Sequence, residues 1–245
     1  ITDPTDNVVY VGANYPKRGN VYGGGCGEDT YEVGTGDNKK KYFNPLAGIV
    51  HGNANVTISE NGHVVHNIYG AGALGSVDGK TTVTINGGRV GDDGDGDGNV
   101  YGAARGKVGM TQAHIAQTSA SEVNVKNGIV NGNVYGGGEA GLVKCGVDVS
   151  MTGGEVKHDV YGGGALANTQ TSNWDATNET WVTGKNDATN GTTYKTAVSL
   201  TGGKVRDVYG GALGKANSTN TSTDGIPAYV YDDVKAELNK NNSGG

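Results

Sequence analysis

Residues 20–25 read NVYGGG, and close copies follow: NIYGAG at 67–72, NVYGAA at 99–104, NVYGGG at 133–138, DVYGGG at 159–164 and DVYGGA at 207–212. Aligned on the aromatic residue, Tyr22, Tyr69, Tyr101, Tyr135, Tyr161 and Tyr209 form one column, with successive spacings of 47, 32, 34, 26 and 48. Only the excess over the shortest spacing varies, so the chain is one unit repeated with inserts. Upstream of most tyrosines stands an alternating triplet, a glycine turn and a Val or Ile. It reads VTISENGHVV from 56, VTINGGRV from 83, VNVKNGIV from 123, VSMTGGEV from 149 and VSLTGGKV from 198.

Val56/Ile58, Val83/Ile85, Val123/Val125, Val149/Met151 and Val198/Leu200 alternate with polar residues, the period of a strand with one buried face. Helical spacing is nearly absent. Brief strands that cannot bury their own apolar face, repeated at a short period, point to a solenoid in which neighbouring copies supply the core. The expectation is all-β: a right-handed single-stranded parallel β-helix of about six turns, with loop inserts on one edge. Residues 1–245 read as one such domain, with repeat turns over about 8–214 and either a partial seventh turn or a cap over 215–245. For the cap, Val230, Val234 and Leu238 have helical spacing; for the turn, Val234, Ala236 and Leu238 alternate like the other triplets. Val8, Tyr10 and Val9 suggest a partial first turn.

Asn20, Asn67, Asn99, Asn133, Asp159 and Asp207 fall at corners, where Asn and Asp tolerate left-handed or side-chain-bonded backbone. Stacked, they form a ladder in which each side-chain amide bonds the next. The following Val or Ile points inward, alternation sends the tyrosine outward, and glycine permits the sharp bend. An inward tyrosine stack is the competing arrangement by the same alternation.

Composition narrows the function. Glycine accounts for 46 residues, hydrophobic residues for 34% and charged residues for 18%, while four prolines without a G-X-Y period exclude collagen. Thirteen tyrosines against one phenylalanine, Phe43, place rings where a hydroxyl finds water or a partner. A net charge of −6 offers no phosphate-neutralising face, so nucleic acid is not an expected partner. Lys39-Lys40-Lys41 reads as a solvated loop, and no apolar stretch is long enough to insert in a membrane. The chain opens without a charged-then-apolar targeting segment, as a mature product, a fragment or a cytosolic protein would. Cys26 and Cys145 lie three copies apart, about 14 Å at solenoid spacing and too far to bridge. Both read as small buried side chains, with a bridge through the inserts as the alternative.

The excess residues, about 26–52, 106–121, 165–196 and 215–229, should project from the coil. The third segment holds Trp174, Trp181 and Tyr194 in Thr/Asn-rich sequence, rings that would stack on sugars, anchor a protein, or pin the loop to the rod. Within a repeat, Asp93, Asp95 and Asp97 precede Gly98 in the D-x-D-x-D-G pattern of a calcium loop, although Ala104 stands where the closing glutamate belongs. Calcium is thus the one candidate cofactor, against a solvated acidic turn. Recurrent glycine with no following helix and no Gly-Lys-Ser/Thr is not a phosphate loop. Asp92-Asp93 and His51-Gly52 superficially match pairs found in β-helical polysaccharide hydrolases, but the order is reversed and an Arg-x-Lys element is missing. His63, His66, His114 and His158 lack ligand spacing and read as solvated.

The GG-x-V…N/D-V-Y-G-G-G unit over roughly 20–214 resembles the glycine-rich β-helical repeats of large adhesin-like surface proteins of Bacteroidetes-type bacteria, and more loosely autotransporter passenger rods. That resemblance implies a non-enzymatic, extracellular or cell-surface location and binding of host, matrix or glycan through faces and inserts. Two other readings stand beside it: a fibre subunit polymerising end to end by strand stacking, and a polysaccharide lyase or hydrolase argued from architecture alone.

Overall fold

The computed structural model describes residues 9–11, 19–28, 31–42, 44, 46–92, 98–108, 115–169, 171–175, 180–183, 195–219, 221–231 and 233–239. Among them the fold is all-β, without an α-helix and with a single 3-10 turn at Gly36–Asn38. Two parallel sheets stack in a β-solenoid-like arrangement. The wider sheet runs Val9–Val11, Gly62–Val64, Val77–Val90, Gln117–Val130, Val147–Val156, Thr196–Lys204 and Val234–Leu238, with Ala54–Ile58 also paired to Val77–Val90. The narrower sheet stacks Val21–Tyr22, Ile68–Tyr69, Val100–Tyr101, Val134–Tyr135, Val160–Tyr161 and Val208–Tyr209 in chain order. One wide strand and the Val-Tyr or Ile-Tyr strand that follows it make a layer.

Register comes from the alternating triplets. Val56, Val83, Val123, Val149, Val198 and Ala236 fall in one column, and Ile58, Ile85, Val125, Met151, Leu200 and Leu238 in another. A one-residue slip would turn each of these side chains outward. All but Ala236 and Leu238 meet Ile68, Val100, Val134 and Val160 of the narrow sheet in one apolar core.

Four expectations need correction. The glycine turn does not end the wide strand in the middle layers: Val77–Val90 and Gln117–Val130 run through it with register shifts. The bend is a bulge, carried by Gly88 at φ +71 and its counterparts Gly128, Gly154 and Gly203, all left-handed. Among the described residues the second layer breaks here, into Ala54–Ile58 and Gly62–Val64. The helical spacing of Val230, Val234 and Leu238 does not make a helix: Val234–Leu238 is a strand that pairs in parallel with Thr196–Leu200. Ahead of the second layer, Val9–Val11 pairs in parallel with Gly62–Val64. Cys26 is exposed rather than buried, Cys145 is intermediate, and both are free.

The tyrosines are the fourth. Alternation does send them away from the valine core, into a cluster of their own with Ala165 and Leu166. Yet Tyr69, Tyr101, Tyr135 and Tyr161 are buried. The reason is the chain after the glycine corner, which returns over the rings and forms its own backbone ladder. Arg105 N–H donates to Gly72 O, Glu139 N–H to Ala104 O, Ala165 N–H to Gly138 O and Leu213 N–H to Gly164 O. Glycine is needed at this corner because a Cβ on Gly102 would overlap the Gly136 carbonyl of the next layer.

Among the described residues two of the inserts hold a small antiparallel ribbon. Tyr31–Val33 pairs with Lys40–Tyr42, so the lysine run lies largely on an exposed strand. Thr171–Asp175 pairs with Thr180–Thr183. The insert expected to reach residue 121 stops earlier, since Gln117–Val130 is one strand whose first two residues are buried.

Candidate functional site

The most ordered polar arrangement is the tyrosine stack. From Tyr22 to Tyr209 each ring lies 4.9–5.0 Å from the next, with interplanar angles of 4–13°. Layer spacing imposes this face-to-face geometry, which isolated aromatic pairs do not favour. Hydroxyls find partners two layers on: Tyr69 donates to the Glu139 carboxylate at 2.5 Å, and Arg105 donates to the Tyr22 oxygen at 3.2 Å. Burial, reinforced by Glu139, pushes the Tyr69 phenol up. Burial also raises Tyr135, with Tyr161 and Asp159 adding to it. Tyr161 is pushed up to about 12 by burial and then by Asp159. The Tyr69 and Tyr161 hydroxyls serve as donors, to Glu139 and Asp159.

The Asn/Asp column runs alongside. Asn20 Oδ1 accepts the Asn67 N–H at 3.0 Å, Asn67 Oδ1 the Asn99 N–H at 2.8 Å, Asn99 Oδ1 the Asn133 N–H at 2.8 Å, and Asn133 Oδ1 the Asp159 N–H at 3.1 Å. The rungs are therefore side chain to backbone, with one amide-to-amide bond, Asn133 Nδ2 to Asn99 Oδ1 at 3.2 Å, added to them. At Asp159 the pattern changes. Its carboxylate takes both arms of Arg206, Nε to Oδ1 at 2.8 Å and a terminal nitrogen to Oδ2 at 2.7 Å, plus the Tyr161 hydroxyl at 3.2 Å. The guanidinium hydrogen bonds hold Asp159 below the usual carboxylate range.

Among the remaining candidates, Trp174 and Trp181 stand directly opposite each other in the hairpin register. Tyr194 and the proposed calcium residues Asp93, Asp95 and Asp97 lie outside the described residues. No group of three His, Cys, Asp or Glu suited to a metal occurs among the described residues. His63 departs from the solvated reading: its side chain is largely covered and its Nε2 lies 2.8 Å from Asp92 Oδ1 of the adjacent layer. His51, of the His-Gly pair, is exposed and lies with Nδ1 2.6 Å from Asp78 Oδ2, also one layer on. His63 also lines a cleft of about 740 Å³ with Val21, Ile58, Glu60 and Val64.

No family model, curated protein or solved structure matches the chain. The residues themselves therefore carry the functional argument.

Several of them escaped the sequence. Thr81 and Ser121 point inward and donate to the Gly102 and Gly136 carbonyls at 2.5 and 2.6 Å, stitching wide strand to tyrosine corner. Their signal was present, two residues before Val83 and Val123, and a hydroxyl at an inward position is the clue. Arg105, Glu139 and Arg206 reach partners 47 to 83 residues away in sequence, and no local pattern announces them.

Proposed function

We propose that this chain is a non-catalytic structural and adhesive rod of the extracellular space or a bacterial cell surface. In this reading the layers wind as a right-handed, single-stranded parallel β-helix of about six turns, and the outer face of the wide sheet is the contact surface. The observation that carries it is the regularity of that face. Thr57, Thr84, Asn124, Ser150, Ser199 and Glu237 stand in one register column, with Asn55, Thr82, Glu122, Asp148, Ala197 and Lys235 in the neighbouring one. Hydroxyls and amides repeated at layer spacing on a flat sheet suit an extended polymer with its own regular hydrogen-bonding groups, such as a glycan chain. The opposed Trp174 and Trp181 positions offer a second contact. A small net negative charge disfavours anionic surfaces.

The test is retention on a panel of insoluble and soluble polysaccharides, together with assay of released reducing ends. Retention without release is expected. Release of oligosaccharides that stops in Asp92→Asn would replace the reading with a hydrolase.

A further inference from the structure

Phenylalanine would stack as well as tyrosine and leave no hydroxyl to satisfy, yet all six rings of the column are tyrosines and four of them are buried. A phenol differs from a plain benzene ring in giving up an electron readily when a base takes its proton in the same step. The charges around the hydroxyls are uneven along the stack. Tyr69 donates to Glu139 Oε2 at 2.5 Å, within reach for proton transfer, and Asn67 Nδ2 stands 3.5 Å from the same phenolic oxygen. Tyr22 instead faces a cation, its oxygen 3.2 Å from an Arg105 nitrogen and its ring centroid 5.8 Å from the guanidinium carbon. Tyr161 donates to Asp159, but Arg206 already occupies both oxygens of that carboxylate.

We propose that the tyrosine stack is a relay for oxidising equivalents, in which an electron hole placed on one ring passes from ring to ring and comes to rest on Tyr69 beside Glu139. Electron transfer between rings depends on overlap of their π clouds, which falls steeply with separation. Each ring has its neighbour at 4.9–5.0 Å with an interplanar angle of 4–13°. A cation repels a hole and an anion attracts it. Arg105 therefore keeps it off Tyr22 and Arg206 weakens its hold at Tyr161, while Glu139 draws it to Tyr69. At rest, one electron has left through the stack to a one-electron oxidant, which is reduced. The Tyr69 O–H bond has broken, its proton has formed an O–H bond on Glu139 Oε2, and a neutral phenoxyl radical stands beside a neutral carboxyl. Return of an electron and of that proton restores the starting pair. The relay depends on the stacked layers and not on glycan binding, so it and the adhesive reading fail separately.

The experiment uses the full chain carrying C26S and C145S, with a photo-oxidising ruthenium polypyridyl group attached through D207C. Asp207 is exposed and stands to Tyr209 as Asp159 stands to Tyr161. Flash-generated ruthenium(III) then oxidises the stack at Tyr209, four ring steps of 4.9–5.0 Å from Tyr69. Transient absorbance and electron paramagnetic resonance follow the radical, and circular dichroism checks the fold of each variant. A long-lived phenoxyl radical coupled to a carboxyl proton is expected. E139Q should shorten its lifetime by about 10²-fold, and Y69F should abolish the long-lived species. Y101F keeps a ring in the stack but forms no phenoxyl, so it should strand the radical short of Tyr69. Y42F, in the exposed first insert, should behave like the parent. Absence of a long-lived radical in the parent, an unchanged lifetime in E139Q or Y69F, or passage undisturbed by Y101F would overturn the proposal.

Discussion

Tyr135 and Tyr209 occupy the same place in the same motif, yet Tyr135 is 3% exposed and Tyr209 46%. Both follow a valine and precede glycines, and both stack on the ring below. What differs is the layer above. Tyr135 has Tyr161 over one face and Glu139 in the segment crossing its neighbours, whereas among the described residues no further ring stacks on Tyr209. The comparison teaches that burial here is a property of position in the stack, not of the repeat sequence. Stability should therefore fall from the middle layers toward the outer ones, as in other quasi-one-dimensional proteins.

Substitution breaks the comparison most directly. Tyr135→Ala removes a ring packed on both faces and should cost about 3–5 kcal/mol, whereas Tyr209→Ala should cost no more than about 1 kcal/mol; denaturant unfolding of both variants measures the difference. Equal costs would mean that the stack does not stabilise its middle. Gly137 and Gly211 give the same contrast in backbone. A Cβ on Gly137 would press on Gly164 of the next layer, while one on Gly211 meets nothing within 4 Å. Gly137→Ala should therefore cost about 1–3 kcal/mol and Gly211→Ala within about 0.5 kcal/mol.

Titration sharpens it further. The raised phenols of Tyr69, Tyr135 and Tyr161 favour the folded state fully below the unfolded tyrosine value of about 10. That contribution is lost as pH climbs from there, with Tyr161 passing through about 12. Alkaline unfolding followed by tyrosinate absorbance should begin above about pH 10, and Tyr161→Phe should remove its step near 12. Asp159 has the opposite sign. Held low by Arg206, it contributes above the unfolded aspartate value of about 3.9, and the contribution disappears as pH falls through its lowered folded value. Arg206→Gln should raise the pH of acid unfolding, and an unchanged acid limb would count against the pair. The smallest effect belongs to the first insert. The exposed Lys39–Glu32 pair at 3.0 Å should contribute under about 0.5 kcal/mol, so Lys39→Ala should leave the melting midpoint in place.

Much of the wide sheet was legible because its determinants are local. Val83-Thr84-Ile85 and its copies fix which face is inside, and alignment on tyrosine fixes which residues share a column. The two-residue Val-Tyr strand hid its outcome because alternation says only that the tyrosine leaves the valine core. Whether it then meets water depends on a segment four residues onward, turning back under a hydrogen-bond ladder supplied by other layers. The glycine pair was similarly ambiguous: left-handed backbone is compatible with a turn or a bulge, and only pairing on both sides, Ile129 with Arg89 and Val125 with Ile85, decides for the bulge. Polar partners such as Arg206 with Asp159 come from residues 47 positions apart, brought together by stacking alone. The insert with Trp174 opposite Trp181 holds its own short ribbon, whose pairing the Thr/Asn-rich sequence does not signal.

Amide hydrogen exchange of the monomer tests the layered account most directly. Slowest exchange should occur at Val100–Tyr101 and Val134–Tyr135 in the middle of the narrow sheet, with protection decreasing through Val160–Tyr161 to Val208–Tyr209. Uniform protection along the six strands, or the strongest protection in the outermost ones, would contradict a structure in which each layer is held by the layers on either side.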